Sequence, residues 1–337
     1  MKVLITGGLG YIGSHTATRL VAQGYSPVLV DNLDNCNRSV LDALYAITGQ
    51  PLPFYEGDVR DVQFMNQLLA KEKDIQGVIH FAAHKAVGES MSQPLKYYNN
   101  NVGGLIHLCE VLEAHNIRNV VFSSSCTVYG QTNEIPVSED APRQQAASPY
   151  GHTKLLGEDI LQSLANLGTL KVVALRYFNP VGAHPTALIG ELPSGVPQNL
   201  VPFVTQTAIG KRGQLKIFGN DYPTQDGTAI RDYIHVMDLA DAHIAAMRHL
   251  TDKDSLPYDT FNIGTGRGTS VLELIQEFER VNNVSVPYAF AERRAGDITA
   301  IYANADKANT VLGWKAQHSL GEALRSAWQW EQHLAKV

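Results

Sequence analysis

The chain has 337 residues, 44% of them hydrophobic and 18% charged, with 27 Lys and Arg against 33 Asp and Glu and a formal charge of −6. That length exceeds what one core usually organises, so a large domain plus a smaller one is expected, and the acidic balance without a basic run argues against nucleic acid as a partner. No segment approaches the ~20 apolar residues of a membrane span. Cys36, Cys109 and Cys126 are an odd, widely spaced set without Cys-x-x-Cys, so no disulfide framework and no metal site is expected.

Lys2-Val3-Leu4-Ile5 reads as a strand that feeds a glycine turn, which leaves no room for a cleavable leader and fits a cytoplasmic protein. Further apolar runs of strand length follow at Pro27-Val28-Leu29-Val30, Pro53-Phe54-Tyr55, Gly77-Val78-Ile79-His80-Phe81, Asn119-Val120-Val121-Phe122 and Val172-Val173-Ala174-Leu175, alternating with helix-length segments. Strands without polar alternation, separated by helices, predict a Rossmann-type, doubly wound parallel sheet covered on both faces. Pro94 suits a helix start, and Leu105, Ile106, Leu108, Val111 and Leu112 continue one long helix until Asn116. Beyond residue 177, Pro180, Pro185, Pro193, Pro197 and Pro202 break the alternation. The expected division is therefore an α/β dinucleotide-binding domain over residues 1–178 and a smaller, mixed α/β substrate domain over 179–337, with some later segments returning to the first.

Thr6-Gly7-Gly8-Leu9-Gly10-Tyr11-Ile12-Gly13 follows the first strand and opens a helix. Glycines there let the backbone turn tightly and approach a pyrophosphate, which the N–H groups of the helix start can bind. Asp31 ends the second strand, 18 residues after Gly13, where a carboxylate accepts both hydroxyls of an adenosine ribose and repels a 2′-phosphate. NAD is preferred to NADP, with Arg38 as the nearby cation that weakens the preference. Asp58 after the third strand and Lys85 after Phe81-Ala82-Ala83 lie where strand ends deliver groups to the same crevice.

Ser148-Pro149-Tyr150-Gly151-His152-Thr153-Lys154 begins a further helix, and the i, i+4 spacing puts the Tyr150 phenol and the Lys154 ammonium on one face. A free phenol has a pKa of about 10, too high for a base at neutral pH, and a neighbouring cation favours the phenolate. Ser123-Ser124-Ser125-Cys126 follows the fifth strand and brings hydroxyls to the same end of the sheet. Alone, Tyr-x-x-x-Lys is a solvated helix face. Joined to a nucleotide turn and a serine run at other strand ends, it reads as catalytic.

Through Gly7, Gly10 and Gly13 and the set Ser125, Tyr150 and Lys154, the sequence resembles the extended short-chain dehydrogenase/reductase family. Within that family the stretches FAAHKAVGES (81–90), RYFNPVGAHP (176–185), IFGNDYPTQDGT (217–228) and IRDYIHVMDL (230–239) are similar to the UDP-hexose 4-epimerases. The resemblance implies that NAD contacts Gly7, Gly10, Tyr11, Ile12, Gly13, Asp31, Asn32, Asn35, Asp58, Val59, Phe81, Ala82, Ala83, Lys85, Asn100, Ser125, Tyr150, Lys154 and Phe178. It also implies that a UDP-hexose is held by Lys85, Ser125, Tyr150, Asn179, Asn199, Leu200, Lys216, Ile217, Phe218, Arg231, Arg294, Asp297 and Ile301. Arginines suit the diphosphate, a carboxylate such as Asp297 suits a ribose diol, and Ile301 walls the hexose pocket unless a one-residue slip puts Tyr302 there. In the cycle so implied, Tyr150 takes the 4-hydroxyl proton, Ser125 hydrogen-bonds the same oxygen, and resident NAD takes and returns the hydride. A homodimer is suggested too, through the helix after Pro94 and the one near Pro149. Two rivals fare worse: 4,6-dehydratases carry an Asp-Glu pair where this chain has Val128-Tyr129, and a non-catalytic NAD-sensing module would have no need of Tyr150 and Lys154.

Overall fold

The computed structural model describes residues 1–132, 134–193, 195–294 and 297–336. Seven parallel strands, β1 (Lys2–Thr6), β2 (Ser26–Asp31), β3 (Phe54–Glu56), β4 (Ile75–His80), β5 (Asn119–Ser125), β6 (Lys171–Tyr177) and β7 (Tyr258–Ile263), form one sheet in the order β7-β6-β5-β4-β1-β2-β3. All six strands expected from the first half are present. β7 was not foreseen.

The lack of polar alternation has the anticipated cause. Leu4, Val28, Val78, Val120 and Val172, level across the sheet, bury one face against the helices Val62–Lys71, Gly104–Ala114 and Pro149–Asn166 through Met65, Leu68, Leu105, Leu108 and Leu161. Val3, Ile5, Leu29, Ile79, Val121 and Val173 bury the opposite face against the helices Tyr11–Ala22, Val40–Thr48 and Val236–Leu250. At about 25 cal/mol per Å² of apolar surface removed from water, these two faces carry most of the hydrophobic stabilisation. Strand order reverses between β1 and β4, so a crevice opens there beyond the strand C-termini.

The long helix expected after Pro94 is not continuous. Pro94–Tyr97 is α-helical, Tyr98–Gly103 is a π-helical turn, and Gly104–Ala114 is α-helical again. The wide turn has a local cause: buried Asn101 must reach across to the loop after β4, where its amide bonds His84 N (2.8 Å) and His84 O (3.0 Å) as well as Thr153 Oγ1 (3.0 Å). Such turns recur at functional sites.

Most of the remaining elements after residue 178 form a second region with its own core of Val204, Ile217, Leu274, Phe278 and Leu324, while the helix Asp306–Val311 returns to the first core through Ala308. Its short strands pair as Asn179–Val181 with Tyr233–His235, Leu215–Phe218 with Tyr288–Ala291, and Ile230–Arg231 with both Thr269–Ser270 and Ala300–Ile301. Capping boxes at Ser270/Glu273 and Ser319/Glu322 start its two longer helices, Val271–Asn282 and Leu320–Leu334. Among the described residues no helix is long and apolar enough to cross a membrane, and no group of three or more His, Cys, Asp and Glu gathers to hold a metal.

Candidate active site

At the switch point the chain turns through Gly7 with φ +70°; a Cβ there would lie 2.8 Å from Ala82 N, and one on Gly13 would lie 2.2 Å from Gly7 O. Both positions are closed to any side chain. The following helix starts at Gly10 without a side-chain cap, so its first N–H groups remain available to an anion at the crevice. Asp31 closes β2: its Oδ2 accepts from Leu9 N (3.1 Å), and its Oδ1 from Leu33 N (3.0 Å) and Cys36 Sγ (3.2 Å). A glycine cradle, uncapped helix amides and an oriented carboxylate fit a dinucleotide such as NAD.

These groups line a cleft of about 1120 Å³ that contains every residue named above for the cofactor. Asp58 is fixed on its rim by Asn32 Nδ2 (2.9 Å) and by Arg60 Nε (2.9 Å) and Nη2 (2.7 Å), and the Arg60 bonds hold its carboxyl down at about 2. Ser125, Tyr150, Lys154, Asn179 and Asn199 line the same cleft. Leu200, Lys216, Ile217, Phe218, Arg231, Arg294, Asp297 and Ile301 do not. Several of these form a second set in the neighbouring region: Arg231 pairs with Asp297, Arg294 stacks 4.0 Å over the Phe218 ring, and Ile301 lies opposite Arg231 in strand register. Ile217 is 1% exposed, its side chain belongs to the core and its backbone lies in a paired strand, so it offers a ligand no open surface. Ile301 packs with Phe178, Val128 and Tyr129 beside the cleft, whereas the Tyr302 ring lies against Gly268.

The reactive trio departs from expectation in one respect. Lys154 is buried, donates to Ser123 O at 2.6 Å, and has its ammonium 5.9 Å from the centre of the Tyr150 ring. Burial pushes the Tyr150 phenol up to about 12, outweighing the hydrogen bond with Ser125 that pulls it down. Burial also lowers the Lys154 ammonium to about 8, against the upward pull of Glu158. Lys154 therefore does not by itself turn Tyr150 into a phenolate; desolvation of the phenolate wins over a cation at this separation.

Three further residues bear on the site, Glu191 and Tyr177 in the cleft lining and Glu158 fully buried outside it. Glu191 Oε1 accepts from both Lys85 Nζ (2.8 Å) and Asn199 Nδ2 (2.6 Å), tying the loop after β4 to the start of the helix Leu200–Ala208. The buried Tyr177 hydroxyl meets the Ser123 hydroxyl beside Tyr150. Glu158, one turn beyond Lys154, bonds Ser124 Oγ at 2.5 Å and Arg176. Tyr177 ends β6 next to Phe178 and could have been read from that placement. Glu191 sits among prolines and glycines in an irregular stretch and carries no sequence signal.

The family model for GDP-mannose 4,6 dehydratase matches residues 4–327. The UDP-glucose 4-epimerase of Bacillus subtilis (strain 168) is 49% identical over 332 residues, 98% of this chain and 97% of that protein. The chain belongs to the UDP-glucose 4-epimerase family. Solved members share its fold throughout. The UDP-glucose 4-epimerase from Stenotrophomonas maltophila, with bound NAD and formylated UDP-arabinopyranose, is 47% identical with a TM-score of 0.97, over 100% of this chain and 99% of that one. The epimerase from Bifidobacterium longum, in complex with NAD+ and UDP, is 43% identical with a TM-score of 0.94, over 99% and 98%.

Proposed function

We propose that the protein is an isomerase of galactose metabolism that interconverts UDP-galactose and UDP-glucose through a transient 4-keto sugar. The observation that carries this reading is the meeting of Ser125, Tyr150 and Lys154 in one cleft with the glycine cradle and Asp31, in a chain 49% identical to an epimerase over nearly its full length. Bound NAD supplies the hydride acceptor and donor at C4, and its positive nicotinamide favours the Tyr150 phenolate that burial alone disfavours. Tyr150 takes the proton of the 4-hydroxyl and later returns it, while Ser125 hydrogen-bonds the same oxygen. Lys154, anchored on Ser123 O, holds a cation 5.9 Å from the centre of the Tyr150 ring and would bind the nicotinamide ribose of the cofactor. Arg231, Arg294, Asp297, Asn179 and Asn199 hold the UDP end, and a hexose gripped only through its nucleotide can present either face.

Dehydration is disfavoured because Val128 and Tyr129 are both fully buried and offer no acid for elimination. Ile301, smaller than an aromatic and packed on Phe178, supports UDP-glucose and UDP-galactose as main substrates with partial tolerance of N-acetylated UDP-hexosamines. The protein works as a cytoplasmic homodimer: Leu95, 81% exposed, and Ile106 offer apolar surface along the proposed helical seam, and Met91, 62% exposed, adds to it from the preceding helix Val87–Ser92. The deciding experiment is UDP-galactose conversion by the purified protein together with assay of NAD released on denaturation. Conversion with stoichiometric NAD is expected; a protein that retains NAD yet leaves UDP-galactose unchanged overturns the activity. Comparable kcat/KM on UDP-N-acetylglucosamine overturns the substrate preference.

A further inference from the structure

We propose that Glu56 is a second determinant of NAD over NADP, acting by holding Arg38 away from the adenosine ribose. The proposal rests on the NAD reading above. β3 runs beside β2 and places Glu56 level with Asp31, with Gly57 N donating to Asp31 O at 3.0 Å. Arg38 is the first basic residue after Asp31, and its neighbours Asn37 and Ser39 line the cleft together with Asp31, whereas Arg38 does not. Its guanidinium is turned toward β3 instead. Nη1 donates to Glu56 Oε2 at 2.7 Å, and the group lies 5.6 Å over the Phe54 ring.

An arginine freed at this position is what a 2′-phosphate would recruit, because its planar fork presents paired donors to phosphate oxygens. Tied to Glu56 it is neutralised. A 2′-phosphate entering the site therefore meets the Asp31 carboxylate directly and an arginine that is already engaged. The Arg38 and Glu56 side chains are 65% and 51% exposed, and an exposed pair of this kind adds little to stability. Its position beside the ribose-binding carboxylate gives it a role in selectivity rather than in folding.

The test refolds wild type, Glu56→Gln, Glu56→Asp and the double variant Glu56→Gln with Arg38→Met in an equimolar mixture of NAD and NADP. After gel filtration, the nucleotide retained by each is released and quantified, and circular dichroism checks each fold. Wild type should retain NAD; retention of neither nucleotide would defeat the NAD reading and this proposal with it, whereas NAD retention with an unchanged ratio in Glu56→Gln defeats this proposal alone. Glu56→Gln should raise the NADP:NAD ratio about tenfold, the gain of one charge-assisted pair to phosphate. Glu56→Asp should keep the wild-type ratio, and Arg38→Met in the Glu56→Gln background should abolish the gain. An unchanged ratio in Glu56→Gln overturns the proposal. An equal rise in the double variant overturns it as well, since Glu56 would then act by its own charge and not through Arg38.

Discussion

Lys154 donates to the carbonyl of Ser123 at 2.6 Å while its ammonium stands 5.9 Å from the centre of the Tyr150 ring. One helical turn separates the two residues, yet the cation is anchored on the end of β5. Its charge is thus fixed in the cleft, and the phenol remains free to follow whatever else binds there.

Tyr150→Phe should keep the fold and the bound NAD and lose about 10²–10⁴-fold in turnover, the usual worth of a positioned proton-transfer group. The hydroxyl it removes meets a rotatable Ser125 hydroxyl at a cleft, so nothing buried is stranded. UDP-galactose conversion and NAD release on denaturation measure the two effects. Near-normal turnover would defeat the assignment.

Lys154→Met should lower NAD retention as well as turnover, because the same ammonium serves the cofactor side and the phenol side. Since its folded-state value is about 8, the free enzyme loses this charge as pH rises through 8. kcat/KM should fall on that alkaline limb, and the Met variant should lack the limb. Unchanged NAD content would contradict the second role.

Much of the fold was legible in the sequence because the central strands are buried on both faces and so read as unbroken apolar runs. β7 escaped notice for a physical reason. Tyr258-Asp259-Thr260-Phe261-Asn262-Ile263 mixes polar and apolar residues, and its polar members are satisfied at long range, Asp259 by Lys307 (2.5 Å) and Asn262 by Tyr129 (2.6 Å). The π-helical turn escaped for a similar reason, since the apolar spacing of 105–112 says nothing about what Asn101 must reach. In the site, glycine, carboxylate and Tyr/Lys signals are local and readable. Glu191 gains its place from Lys85, 106 residues away, from Asn199 and, through its carbonyl, from Trp330.

Acid should destabilise the protein well above the carboxylate range. Burial pushes His15, His80 and His235 down to about 3 and His243 to about 4. These are bases with depressed folded-state values: the unfolded chain takes protons below about 6.5, while the native state does not until 3–4. Stability is complete above 6.5 and lost as pH falls through that window, each histidine contributing up to about 2 kcal/mol by pH 5. Urea midpoints at pH 7.5 and 5 check this, and His243→Gln should reduce the drop. A midpoint independent of pH over that range would contradict it.

Beneath the reactive helix, Glu158 and Arg176 form a buried pair whose removal separates charge from packing. Glu158 Oε1 accepts from Ser124 Oγ (2.5 Å) and Arg176 Nε (2.9 Å), and Oε2 accepts from Arg176 Nη2 (2.7 Å), with the two residues 0% and 4% exposed. Arg176 also donates to the Tyr129 hydroxyl at 3.1 Å. Glu158→Gln leaves the guanidinium buried without its counter-charge and should cost about 3–5 kcal/mol in urea unfolding. Replacing both partners, Glu158→Leu with Arg176→Met, removes the stranded charge and should cost clearly less than the sum of the single substitutions. Glu158 also raises Lys154, so Glu158→Gln should move the alkaline limb of kcat/KM to lower pH, a shift that loss of packing alone does not produce. If the double variant is as unstable as the summed singles and the limb stays in place, the pair is a packing element and Lys154 keeps its charge by other means.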